Sequence, residues 1–358
     1  MLTVSSGLFF CGSVICRHGR LKNHGSSEIV SSMIPHQSPI QEKEYQPELL
    51  RAIASLAARY QVELYVVGGT VRDRLTGVAA RDLDLAVSGR ALEFARQLAG
   101  ETGGTFVLLD AKEETARVVL HGYVVDIAGF RQGAVDIRDD LMKRDFTMNS
   151  LAVPFGIDLP VVLHSTAVID PAGGLADIGK KTIRALSAEA FFNDPLRLLR
   201  AFRFFAETGF RIEAQTLRWI EKYRDLLAGV APERVAYELD CLMASGRSFA
   251  AVALLKETNI LRVILPELLQ GEGVDQPSSH HLDVFAHNLE ALKWMEKIVE
   301  QPGDFYPSHK TELENYLAEN GKKTLLQWAA LFHDLGKPVA VGVADGRITF
   351  YNHDRLGA

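Results

Sequence analysis

Between Glu48 and Tyr60 the apolar residues Leu49, Leu50, Ile53, Leu56, Ala57 and Tyr60 recur at three- and four-residue intervals. That spacing predicts an amphipathic helix. Val62 to Val67 reads as a buried strand running into Gly68-Gly69, and Val71 to Leu75 as a short helix closed by Gly77. Leu83 to Val87 is a second strand and Ala91 to Gly100 a helix; Thr105 to Leu109, Ala116 to Leu120 and Tyr123 to Ile127 are strand-like. The pattern predicts an α+β region, a mixed sheet flanked by helices and complete by about Pro154. From Pro195 to Ile264 the pattern turns helical, with recurring Leu, Phe and Ile; after a polar break at Gly271 to Ser279, residues 280–358 form another helical region. Internal repeats and low-complexity segments are absent from the sequence.

Composition narrows the class. The 358 residues are 47% hydrophobic and 23% charged, as expected for a folded protein of two or three domains. No apolar run approaches the ~18 residues that a membrane span requires, so no membrane partner is expected. Cys11, Cys16 and Cys241 are too few and too scattered for a disulfide framework or a zinc site, which favours a reducing, cytoplasmic setting. A net charge of −6 argues against wholesale coating of nucleic acid, although residues 141–224 hold 12 Lys/Arg against 9 Asp/Glu and permit a local basic groove. Met1 to Ser27 contains no acid but has Arg17, Arg20, Lys22 and several serines, and is read as disordered or as an organellar targeting extension.

The chemistry concentrates in a few blocks. Val66-Val67-Gly68-Gly69-Thr70-Val71-Arg72-Asp73 is followed by Arg81-Asp82-Leu83-Asp84-Leu85. In a strand, alternate side chains share a face, so Asp82 and Asp84 point one way and Leu83, Leu85 and Val87 the other. Two adjacent carboxylates stay ionised together when a cation sits between them, and Mg²⁺ commonly takes one or two carboxylates plus substrate phosphates. A Gly-Gly turn lets backbone N–H groups approach a polyphosphate closely. Taken singly these are a solvated loop flank and an ordinary turn; in this order they point to nucleotide transfer. Asp126, in Val-Val-Asp-Ile, is either a third carboxylate for the metal or an edge-strand acid facing solvent.

Two later blocks also carry polar groups in apolar settings. Lys143-Arg144-Asp145-Phe146-Thr147-Met148-Asn149-Ser150-Leu151 reads as a helix start capped by Asp145 or Thr147, or as Arg144 on a phosphate with Asp145 or Asn149 near a ribose. Asp194-Pro195 opens a predicted helix, with Asp194 as N-cap and Pro195 at the first helical position. Arg197, Arg200 and Arg203 then form a stripe, either a solvated face or, with Asp194 and Arg197 as acceptor and planar donor, a reader of a base edge. His287 and His333-Asp334 have the residue types to bind a divalent transition metal and activate water, with His353-Asp354 a further candidate; a lone His is more often surface or core.

Taken jointly, the blocks from about Leu64 to Leu242 resemble the class II tRNA nucleotidyltransferase and bacterial poly(A) polymerase family. The quoted residues are Gly68-Gly69-x-x-Arg72-Asp73 with Asp82-x-Asp84, Arg144-Asp145-Phe146-Thr147-x-Asn149, Asp170-Pro171 to Gly174 with Asp177-Ile178, Asp194-x-x-Arg197, and Pro232-Glu233-Arg234-Val235 with Glu238-Leu239. The resemblance implies a polymerase beta-like nucleotidyltransferase head at 46–180 after the extension 1–45, and a helical neck and body at 181–270 that binds RNA and nucleotide; separately, His287 and His333-Asp334, in Leu-Phe-His-Asp-Leu-Gly-Lys, make residues 271–358 resemble a partial HD phosphohydrolase domain. The first resemblance implies Mg²⁺-dependent addition of CMP and/or AMP to the tRNA 3′ end, with CTP and ATP as substrates; poly(A) addition to other RNA, or HD-type phosphohydrolysis, are the alternatives. Asp82 and Asp84 would be catalytic metal ligands, with Asp126 a further one. Gly69, Arg72, Arg144, Asp194, Arg197, Arg200 and Arg203 would bind the nucleotide, and His287, His333 and Asp334 a second divalent metal. Asn193 replaces the Glu that usually opens the family's template block, which is expected to matter little. The short segment between Asp126 and Arg144 is associated, in that family, with addition of CC alone. The last residue, Ala358, precedes the later Asp that HD domains supply, so hydrolase activity is not expected.

Overall fold

The computed structural model describes residues 45–78, 82–120, 122–156, 168–277 and 281–358. The N-terminal extension and Arg81 lie outside the described residues.

Helix α1 (Pro47–Tyr60) buries Leu49, Leu50, Ile53 and Leu56, the stripe its periodicity predicts, and ends where Gln61 turns left-handed. Strand β1 (Leu64–Val67) leads straight into α2 (Gly68–Leu75), so the two glycines open the helix rather than forming a turn ahead of it. Strand β2 (Leu83–Val87) and helix α3 (Ala91–Thr102) precede β3 (Thr105–Asp110), β4 (Thr115–Leu120) and β5 (Tyr123–Gly129). After α4 (Ile137–Met142), β6 (Ala152–Pro154) completes a six-stranded sheet of order β3-β4-β5-β2-β1-β6. The β2–β5 pair is parallel and the other pairs are antiparallel, giving the mixed sheet that was expected. β2 and β5 lie inside the sheet, so their acids stand on its surface away from either edge.

One apolar cluster packs α1 and α3 on this sheet around Ile53, Leu56, Phe94, Leu98 and Ile127. A second, larger cluster fills the helical remainder and draws in Phe146 and Met148 from the sheet region. It is built on α5 (Gly174–Gly179), β7 (Thr182–Ile183), α6 (Glu189–Asn193), α7 (Leu196–Thr208), β8 (Arg211–Ile212), α8 (Ala214–Tyr223), α9 (Pro232–Met243) and later helices including Val284–Glu300 and Lys322–Phe332. No helix among the described residues is long and apolar enough to cross a membrane.

The last region is not wholly helical. Gly342–Ala344 and Arg347–Thr349 pair antiparallel around Asp345 and Gly346, both left-handed. An Asp-Gly pair between apolar-alternating runs is a strong short hairpin signal, and reading the segment for helical period alone missed it.

Candidate active site

Leu83 and Leu85 are buried while Asp84 is half-buried on the opposite face of β2, as strand alternation requires, and the half-buried Asp82 immediately precedes the strand. Thr70, which sequence reasoning passed over, locks α2 onto these acids. Its backbone N–H donates to Asp84 Oδ2 (3.2 Å), its hydroxyl donates to the Asp82 carbonyl (3.0 Å), and the Asp84 N–H donates back to that hydroxyl (2.8 Å). The tyrosine hydroxyl of Tyr45 also donates to the Asp82 carbonyl (3.0 Å). Both glycines are required by proximity: a Cβ on Gly69 would stand 3.0 Å from Asp84 Oδ2, and one on Gly68, at φ +60°, 3.1 Å from Arg144 Nη1.

Burial, and then the charge of Asp126, push the Asp84 carboxyl up to about 6, against the opposing pull of the Thr70 N–H, Arg144 and Arg72. Asp126 faces Asp84 in the parallel β2–β5 register. It is neither an edge-strand acid nor a bare ligand, because Arg117 on β4 grips both of its oxygens at 2.8 Å. Among the described residues, the acids of β2 and β5 form no closed set of three ligand atoms; they present a carboxylate pair and a salt-bridged neighbour.

Arg72 and Arg144 act on the Asp84 carboxylate. Arg72 is buried, donating to Asn149 Oδ1 (2.7 Å) and Asp73 Oδ1 (2.8 Å). Arg144 is buried too and makes two bonds to Asp140 Oδ2 (3.0 and 2.8 Å). Asp140 is fully buried and also accepts from the Arg131 N–H (2.9 Å). Its signal was an acid in the apolar stripe of Ile137 and Leu141, a position that seldom holds a charge without a partner. Burial would raise the Asp145 carboxyl, but Arg200, Arg197 and Asn149 hold it well below the usual range. Arg200 bonds to Asp145 Oδ2 twice (2.9 and 2.7 Å), and Asp145 Oδ1 accepts from the Phe146 N–H and the Asn149 amide. Within this block only Thr147–Asn149 forms a short 3₁₀ turn, and ion pairs hold the residues before it; the expected capped helix is not formed.

The arginine stripe of α7 is not a solvated face. Arg72, Arg200 and Arg203 all place their guanidinium groups over the ring of Phe204, at 5.1, 5.2 and 4.6 Å. Arg203 Nε lies 2.9 Å from Glu238 Oε2, an ion-pair contact without hydrogen-bond alignment. Asp194 does not cap α7 with its side chain: its carbonyl accepts from the Arg197 N–H (3.0 Å), while its carboxylate pairs with Arg234 of α9 (3.2 Å). Arg197 donates to the carbonyls of Lys143 and Arg144 (both 3.1 Å), so the two side chains do not meet in this structure. Asp170 and Asp177 are braces, the first on the N–H groups of Gly174 and Leu175, the second on Thr147 and Arg184.

A second cluster gathers far along the sequence. His287 Nε2 and His333 Nε2 lie 3.1 Å apart, and Asp334 Oδ2 is 3.4 Å from the first and 3.2 Å from the second. His353 Nε2 approaches Asp334 Oδ1 at 3.3 Å, and Lys337 Nζ stands 2.6 Å from Asp334 Oδ2. His333 Nδ1 meets the Ala330 carbonyl (2.9 Å), an arrangement that turns the other ring nitrogen toward the cluster. Asp354 does not join it through any contact among those described.

Comparison with known proteins matches residues 64–184 to the "Poly A polymerase head domain" and residues 209–271 to the "Probable RNA and SrmB- binding site of polymerase A". The chain is 35% identical over 300 residues to an A-adding tRNA nucleotidyltransferase of Deinococcus radiodurans, covering 82% of this chain and 62% of that protein. It is 43% identical over 189 residues to a CC-adding tRNA nucleotidyltransferase of Geobacter sulfurreducens, covering 52% of this chain and 42% of the relative. The chain therefore spans less than two thirds of the length of these relatives. A crystal structure of a tRNA nucleotidyltransferase complexed with a primer tRNA and an incoming ATP analog superposes with a TM-score of 0.58 at 26% identity, over 78% of this chain and 75% of that one.

Proposed function

Because this chain belongs to the family of class II tRNA nucleotidyltransferases and poly(A) polymerase head domains, we propose that it adds CMP, AMP or both to the 3′ end of tRNA, consuming CTP and ATP and releasing pyrophosphate. The observation that carries this reading is the pair Asp82 and Asp84, the first just before β2 and the second on it, with Thr70 fastening the opening of α2 beside them.

The family uses a divalent metal ion, and the acid pair fits Mg²⁺: hard oxygens, one of them raised in pKa by burial and a like charge that a cation would offset. When bound there, Mg²⁺ lowers the pKa of an attacking ribose hydroxyl and stabilises the leaving oxygens. Asp126, engaged by Arg117, would add charge to the site without a metal bond. Gly69, whose Cα has no side chain to come between Asp84 and Arg72, would bind the triphosphate with Arg72 and Arg144. Arg200 and Arg203 would extend the positive surface, and Asp194 with Arg197 would select the base once Arg197 leaves its backbone carbonyls. Residues 46–180 would thus serve as catalytic head and 181–270 as the part that reads nucleotide and RNA.

The test is incubation with tRNA lacking its 3′ end and each labelled nucleotide singly. CTP incorporation supports the proposal; long ATP-only tails favour poly(A) synthesis instead. In the same assay Arg197→Ala is expected to reduce discrimination between CTP and UTP at least tenfold with incorporation retained, and unchanged selectivity removes Arg197 from base reading.

The histidine cluster favours a second reading, a divalent-metal centre in residues 271–358 with hydrolytic chemistry. Two imidazoles and a carboxylate suit a transition metal, which Lys337 opposes by holding Asp334. Co²⁺ titration followed by visible absorption is expected to show one site, lost in His333→Ala while CTP incorporation persists. An unchanged titration in that variant places the metal elsewhere.

A further inference from the structure

Four residues stand side by side across the sheet: Val107 of β3 faces Arg117 of β4, Arg117 faces Asp126 of β5, and Asp126 faces Asp84 of β2. The adjoining Ala116, Val118, Val125 and Ile127 are fully buried on the opposite face, so strand alternation holds this row on the face of Asp84. Arg117 spends its fork on one target. Its Nε donates to Asp126 Oδ1 and its Nη2 to Asp126 Oδ2, each at 2.8 Å, so a planar donor takes both carboxylate oxygens. The arginine does not need this partner to escape burial, since its side chain is 35% exposed and reaches water. What the contact changes is the acid: without it, Asp126 is a third carboxylate beside Asp84.

Charge balance gives that change a purpose. Two carboxylates, Asp82 and Asp84, offset the charge of one Mg²⁺ and leave most of its octahedral positions to substrate oxygens and water. A free carboxylate at 126 would take a further position and turn a net negative charge toward the phosphates of nucleotide and RNA. We propose that Arg117 is a positioning residue that withholds Asp126 from the cation, keeping it a neutralised neighbour and not a ligand. This rests on the nucleotidyltransferase reading of the same site. A rival role has the opposite sign: an arginine behind a metal-binding carboxylate orients it, and its loss weakens the metal by roughly tenfold to a hundredfold. The arrangement favours withholding. Among the described residues Asp82, Asp84 and Asp126 do not bring three ligand atoms together, whereas His287, His333 and Asp334 do.

The experiment measures Mn²⁺ binding by electron paramagnetic resonance and the hydration of the bound ion by water-proton relaxation. It uses the full chain carrying His333→Ala, so that the histidine cluster does not contribute, and the binding that Asp84→Asn removes defines the site. Arg117→Gln is expected to tighten that binding about tenfold and to lower the hydration of the ion, as Asp126 replaces bound water. Adding Asp126→Asn to Arg117→Gln is expected to return both to the values of the parent protein. Asp126→Asn alone is expected to leave the hydration unchanged, a readout that stands even where Arg117→Gln fails to fold. Unchanged or weaker binding in Arg117→Gln, tightening without loss of water, or extra water in Asp126→Asn overturns the proposal, as does a parent protein without Mn²⁺ binding that depends on Asp84. Failure of the wild-type protein to incorporate CTP overturns the nucleotidyltransferase reading instead, while the Mn²⁺ measurements still decide whether Arg117 withholds Asp126.

Discussion

Replacing Asp84 by asparagine is expected to abolish nucleotide incorporation and, at the same time, to make the metal-free protein more stable. The first half follows from charge: the amide keeps the shape and the bond from the Thr70 N–H but loses the anion that would hold a cation. Loss of metal-assisted stabilisation, worth several kcal/mol, corresponds to roughly 10³-fold or more in rate. The second half follows from the raised pKa, from 3.8 to about 6. A folded carboxyl raised above its unfolded value binds its proton to higher pH than the unfolded chain does. Unfolding then releases a proton between about pH 4 and 6, and stability falls as pH rises through that window. The neutral amide escapes this cost. At full weight the shift is worth roughly 3 kcal/mol; partial exposure screens it, leaving a gain of roughly 1–2 kcal/mol at pH 7. Urea unfolding of both proteins in EDTA at pH 7 and pH 4 checks this: the variant should lead at pH 7 and lose most of its lead at pH 4. Binding of tRNA should persist in the variant, and Asp82→Ala should share the loss of incorporation. A variant less stable than wild type at pH 7 would make Asp84 a structural residue.

The same pair of acids explains what a single sequence discloses. The strand that carries Asp84 was legible, and the observed β2 has the predicted bounds Leu83–Val87. Helix α1 was legible because its apolar stripe spans three turns. What escaped were partners distant in sequence or hidden in a pattern of another kind. Arg200 and Asp145 are 55 residues apart, and Asp194 and Arg234 are 40 apart; no local period links them. Asp194 and Arg197 are likewise held by partners far away in sequence, Asp194 by Arg234 and Arg197 by two backbone carbonyls. Thr70 was missed for a different reason. Its role depends on α2 beginning at Gly68 itself, which turns its N–H and hydroxyl toward β2.

Asp145→Ala is expected to destabilise the fold by about 3–5 kcal/mol. Asp145 is buried and receives two bonds from Arg200, one from the Asn149 amide and one from the Phe146 N–H. Truncation leaves Arg200 with Glu238 at 3.5 Å and the ring of Phe204 at 5.2 Å as its remaining partners. A half-buried guanidinium left with these weaker partners loses most of the compensation for its desolvation. The effect spreads because Asp145 joins the segment after α4 to α7, and through Arg200 to α9. Its pH signature distinguishes it from simple loss of packing. A carboxyl depressed below its unfolded value of about 3.9 contributes stability that is complete well above that pH. That contribution is lost progressively as pH falls toward the folded value, because the unfolded chain takes up the proton first. Wild-type protein should therefore lose stability steeply below about pH 4, and Asp145→Ala should lose less over the same interval. Urea midpoints at pH 7 and pH 3 measure both terms. Parallel acid slopes in the two proteins would mean that the Arg200 ion pair does not govern this site, whatever the size of the difference at pH 7.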